Sequence, residues 1–146
     1  MDTIELLKGV EVFDGLSDSE LGQLAAICRE ARYAKGQTLT IQGDEGDEFY
    51  IIQKGLVEVG VSEGGSHPPR TVINLGVGQV VGEMALVDRG PRSATVRCVT
   101  DVVANVIGRE AFERLCQANQ HLGMVVYRNL AADLSFKMRH SHLARR

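Results

Sequence analysis

The chain has 146 residues, 44% of them hydrophobic and 24% charged, which predicts one ordinary globular domain and excludes a disordered chain. Sixteen Lys and Arg against nineteen Asp and Glu leave a net charge of −3, without the general basic footprint of a nucleic-acid binder. No apolar run approaches the ~20 residues of a membrane-spanning helix, and the N-terminal MDTIELLKGVEVFDG sets acids among its apolar residues, unlike a secretory leader.

Residues 3–8 predict a short first helix. Ser17 followed by Glu20 fits a capping box, and Leu21, Leu24, Ala25 and Cys28 follow at helical spacing, so a helix is expected over about 18–29. From Ala31 the period changes to short alternating runs through Tyr33, Leu39, Ile41, Tyr50, Ile52, Val57 and Val59. Gly-rich turns separate them at about ten-residue spacing, which reads as a β-sandwich or barrel. The stretch Ser62–Arg70 predicts an exposed hairpin loop, since Pro68 and Pro69 cannot join a ladder. Strands are expected at 71–75, around 80–81, at 94–98 and at 102–107. A final helix starts near Arg109, with a break near Asn119, and runs to about Met138. Cys28, Cys98 and Cys116 are too few and scattered for a disulfide framework and are read as core residues of a reduced, cytoplasmic protein.

The chemistry concentrates in Gly82–Ser93. A helix as short as 84–87 is marginal alone, so its presence in a β region asks for another reason. Its first-turn N–H groups lack intrahelical partners, Gly82 permits close approach, and Arg92 offers a guanidinium that matches phosphate oxygens, with the Ser93 hydroxyl beside it. Glu83 would repel an anion but would accept hydrogen bonds from sugar hydroxyls next to a phosphate. Together these residues specify a small phosphorylated sugar; the alternative is a structural turn closed by a Glu83–Arg92 salt bridge.

The run Gly-Glu-Met-Ala-Leu-Val-Asp-Arg-Gly-Pro-Arg-Ser-Ala-Thr-Val at 82–96 resembles the phosphate-binding cassette of cyclic nucleotide-binding domains. Lys35-Gly36, Gly43-Asp44, Gly46-Asp47, Phe49 to Ile52, Gly55 and Val57 also fit that family's early strands. The resemblance implies an antiparallel, jelly-roll-like β-roll, mainly β with flanking helices. It divides one domain of 146 residues into N-terminal helices at 1–30, a roll at 31–108 with its cassette at 82–93, and hinge and lid helices at 109–140. It also implies roles: Arg92 on the cyclic phosphate, Glu83 on the ribose 2′-hydroxyl, the amides of Met84, Ala85 and Ser93 around the phosphate, and Gly82 admitting the sugar. Leu86 would pack on the hinge, and Tyr127 or Arg128 would close over the base.

The implied function is a non-enzymatic regulatory module for cyclic AMP or cyclic GMP, with cyclic AMP favoured because Ser93 stands where a guanine-selecting threonine is found. It would need no cofactor and no metal. Alternatives are a non-binding scaffold of the same fold and a cyclic-nucleotide hydrolase, for which the sequence offers no metal cluster or activated nucleophile. The acid-free run at 137–146 is read as cations complementing a helix C-terminus plus a solvated tail, not as a nucleic-acid or membrane patch. The stripe Leu122, Val126, Leu130 and Leu134 is either core or a seam for a homodimer or partner protein, and no helix-turn-helix is expected after it.

Overall fold

The computed structural model describes residues 2–62 and 70–144. Most of the expected Ser62–Arg70 loop therefore lies outside the described residues, as do the last two residues of the expected tail. The chain opens with α1 (Thr3–Lys8), a 3-10 turn (Glu11–Phe13) and α2 (Asp18–Ala26). Strands β1 (Arg29–Tyr33), β2 (Thr38–Thr40), β3 (Glu48–Lys54), β4 (Val57–Val61), β5 (Arg70–Leu75) and β6 (Val80–Val81) follow. Then come α3 (Met84–Val87), β7 (Thr95–Cys98), β8 (Val102–Gly108), α4 (Arg109–Ala118) and α5 (Gln120–Ala144). Two antiparallel four-stranded sheets, β1-β8-β3-β6 and β2-β7-β4-β5, form the β-roll.

The sequence of β3 shows why the layers stack as they do. Phe49, Tyr50, Ile51 and Ile52 are all buried, without the alternation of a half-exposed strand. Phe49 and Ile51 face the helices with Leu7, Phe13, Leu24, Phe112 and Leu122, whereas Tyr50 and Ile52 face the second sheet with Val57 and Val96. The first sheet is thus covered on both sides. In β7 the pattern does alternate, with Val96 and Cys98 buried and Arg97 exposed beside Glu58. Cys28 and Cys116 pack at the edge of the helical core.

The expected α2 ends three residues early. Arg29 pairs with Val106 in the β1–β8 ladder, and this register claims the residues that helical spacing had assigned to the helix. The break near Asn119 is present and has a visible cause. Asn119 Oδ1 accepts the Leu122 N–H at 3.1 Å and so caps α5, while its Nδ2 donates to Glu20 and Gln23 of α2 at 3.1 and 2.8 Å.

Glu20 completes the capping box with Ser17 and also meets His121 Nδ1 at 2.8 Å. One carboxylate therefore fastens α2 to the joint between the last two helices. The His121 contact, then the Ser17 amide, hold the Glu20 carboxyl down at about 2, below its ordinary 4.5. A depressed carboxyl stabilises the fold above its unfolded value and loses that contribution as pH falls through the folded value. Melting temperature is expected to drop as pH is lowered from 4.5 towards 2, and Glu20→Gln to flatten that part of the curve. Identical slopes for both proteins would remove Glu20 from this role.

Candidate functional site

The residues of the 82–93 segment line a cavity of about 1060 Å³ between the β-roll and α5. Arg92 dominates it. Its Nη1 donates to the Glu48 carbonyl at 2.7 Å, and its guanidinium carbon lies 5.8 Å from the centre of the Tyr50 ring. Its backbone is clamped by the loop before β3: the Arg92 N–H donates to the Asp44 carbonyl at 2.8 Å, and the Gly43 N–H donates to the Arg92 carbonyl at 2.9 Å. Burial pushes the Tyr50 phenol up, so the ring beside the cation stays neutral at physiological pH.

Two glycines make room for this side chain. A Cβ on Gly46 would stand 1.9 Å from Arg92 Nε, and one on Gly82 would stand 2.8 Å from Arg92 Nη1. Gly82 also has φ +81°, a conformation that disfavours any side chain. The space at Gly82 accommodates Arg92. Among the described residues no carboxylate forms an ion pair with Arg92, so the alternative of a Glu83–Arg92 bridge is not realised.

Glu83 faces the same cavity and has a different partner. Its Oε1 lies 3.8 Å from Lys137 Nζ of α5, and its side chain is 19% exposed. Met84, Ala85 and Ser93 line the cavity, but the Ala85 N–H is engaged with the Gly82 carbonyl at 3.0 Å. That amide is not one of the unpartnered donors expected of the short helix. Leu86 is buried with Phe112, Leu122, Val126 and Leu130, against both helices of the joint.

The structure turns a different face of α5 to the cavity than expected. Tyr127 packs edge-on against Phe112, with ring centres 5.8 Å apart, and Arg128 is exposed; neither lines the cavity. Asn129, Asp133, Phe136 and Lys137 do. Two residues along a helix rotate the side chain by about 200°, so an error of that size in register exchanges one face for the other. In the sequence, 129, 133, 136 and 137 form a stripe beside the apolar one at 122, 126 and 130, one of its two flanks. Asn129 also donates to the Val12 and Asp14 carbonyls, both at 2.9 Å, pinning α5 to the 3-10 turn. The remaining walls include Val59, Ile73, Leu75 and Val96. A cation without a carboxylate partner among the described residues, an acid in the same cavity and an apolar wall suit an anionic ligand that carries hydroxyls and a flat apolar part.

The family model for the cyclic nucleotide-binding domain matches residues 30–119. A cAMP-dependent protein kinase regulatory subunit of Candida albicans is 32% identical over 76% of this chain and 23% of its own length. The Cyclic AMP receptor protein of Thermus thermophilus is 32% identical over 94% of this chain and 61% of its own length. The chain thus spans about a quarter of the first relative and less than two thirds of the second. The regulatory domain of Toxoplasma gondii PKA, solved with cAMP, superposes with a TM-score of 0.80 at 29% identity, covering 92% of this chain and 49% of that one. These relatives are regulatory subunits and receptors, and among the described residues no helix is long and apolar enough to cross a membrane. By motif, fold and family match alike, the chain belongs to the cyclic nucleotide-binding domain family.

Proposed function

We propose that the chain, as one unit of 146 residues, is a receptor module for cyclic AMP whose output is the position of α5. The observation that carries this reading is Arg92: a guanidinium held by a carbonyl and an aromatic face, lining a cavity, with no carboxylate paired to it among the described residues. A cyclic phosphate supplies the missing anion, and the guanidinium can grip two of its oxygens. Glu83 accepts the ribose hydroxyl, Gly82, Met84, Ala85 and Ser93 frame the phosphate, and Leu86 passes cassette movement to the α4–α5 joint. Phe136, 60% exposed at the cavity, takes the place over the base for which Tyr127 and Arg128 were considered.

The apolar wall of Val59, Ile73, Leu75 and Val96 supports adenine over guanine, because guanine would bury more polar edge groups there. The exposed side of α5, with Met124 and Met138, is the surface through which a second copy or a partner protein would sense the movement. Isothermal titration with cyclic AMP, cyclic GMP and linear AMP tests the reading. Heat with cyclic AMP, less with cyclic GMP and little with the linear nucleotide is expected. Absence of heat with both cyclic nucleotides from folded protein would overturn it.

Gly46→Ala provides a check on the geometry around Arg92. The backbone at Gly46 does not have positive φ, so alanine fits the chain but collides with the middle of the arginine side chain. Affinity is expected to fall about tenfold or more, as a charge-assisted bond loses its aim, with the melting temperature nearly unchanged. Equal affinity in the variant would show that Arg92 does not need this pose.

A further inference from the structure

Lys137 stands where the last helix meets the cassette. Its Nζ is 2.9 Å from Asp133 Oδ2, one turn back on α5, and 3.8 Å from Glu83 Oε1 across the cavity. An acid four residues before a lysine is the favoured orientation of a helical ion pair, so Asp133 preorganises the lysine in its reach towards Glu83. Glu83 makes no side-chain cap on α3, which leaves the lysine as its charged partner. Beyond Leu130 the helix moves away from the helical core, and most residues from 131 to 140 are exposed. The Lys137–Glu83 bridge therefore joins this outer half of α5 to the cassette.

We propose that Lys137 is a positioning residue that aims Glu83 at the sugar, so that α5 senses a free sugar hydroxyl through this ion pair. The proposal rests on the cyclic nucleotide reading. A carboxylate has two oxygens, and Lys137 engages one from the α5 side. The other is then held towards the cavity, where a hydroxyl can donate to it. Without the ammonium, Glu83 is free to rotate to water, and a ligand hydroxyl must order it anew. The bridge also gives the ligand a handle on the outer half of α5 that does not depend on the base.

Cyclic AMP and its 2′-deoxy analogue, titrated into wild type, Lys137→Met and Lys137→Arg, separate this from a merely structural role. Lys137→Met keeps the apolar stem and removes the charge. It is expected to weaken cyclic AMP about tenfold, the worth of a charge-assisted hydrogen bond, and the deoxy analogue far less. Lys137→Arg is expected to restore cyclic AMP binding. Equal losses for both ligands, or no loss for either, would overturn the proposal. Amide exchange over 133–140 without ligand gives a second readout. Lys137→Met and Glu83→Gln should each speed it, and the double variant no further. If wild type binds neither ligand, the receptor reading falls and with it the sugar-sensing role. Exchange that stays unchanged in both single variants, in a protein that does bind, removes the strap alone.

Discussion

Arg92→Ala is expected to lower affinity for cyclic AMP by at least a hundredfold without unfolding the protein. Two parallel guanidinium–phosphate bonds, each worth ~1.5–3 kcal/mol, correspond to about 10²–10⁴ in the dissociation constant. Stability should change little, because the side chain is only partly buried and its partners are one carbonyl and one ring face. Arg92→Lys distinguishes shape from charge. A lysine keeps the cation but cannot form the paired bonds, so it should recover only part of the loss. Titration calorimetry with matched melting curves decides the matter, and an alanine variant within tenfold of wild type would place the phosphate elsewhere.

Phe112→Ala is expected to cost about 3–5 kcal/mol of folding free energy, a large part of the ~5–15 kcal/mol a domain holds. The ring is fully buried in α4, with Phe49 of β3 at 6.0 Å and Tyr127 of α5 at 5.8 Å between ring centres, both edge-on. It is the point where sheet, α4 and α5 meet, with Leu86 in the same cluster. Truncation leaves a cavity that three elements would have to close together, and close packing prevents them from doing so. Urea unfolding should show a lower midpoint at an unchanged slope. A loss under 1 kcal/mol would mean that the site collapses freely.

What the sequence made legible was local. The capping box at Ser17 and Glu20 and the cap of Asn119 on Leu122 each join neighbours within four residues. The cassette was visible as a run of fifteen ordered residues, whereas the alternation expected through Tyr50 and Ile52 gave way to a β3 buried on both faces, because helices and the second sheet cover it from opposite sides. What escaped depends on distant partners. Gly46 reads as a turn until Arg92 is found against it, and Glu48 matters through a carbonyl that carries no side-chain signature. Glu20 was legible as a cap but not as the fastening for His121 and Asn119, about a hundred positions away. The face of α5 was missed because an apolar stripe fixes which side is buried, not which flank of that stripe meets the cavity.

The links from Val12 and Asp14 to Asn129, and from Glu20 to His121, bear on biosynthesis. The greasy side of the first two helices and the 3-10 turn between them, with Leu6, Leu7, Phe13 and Leu24, is covered in part by segments made more than eighty residues later. During translation that surface must wait, open to wrong neighbours, until α4 and α5 leave the ribosome. A nascent chain stalled before position 110 should therefore bind holdase chaperones, and release should follow completion of the two final helices.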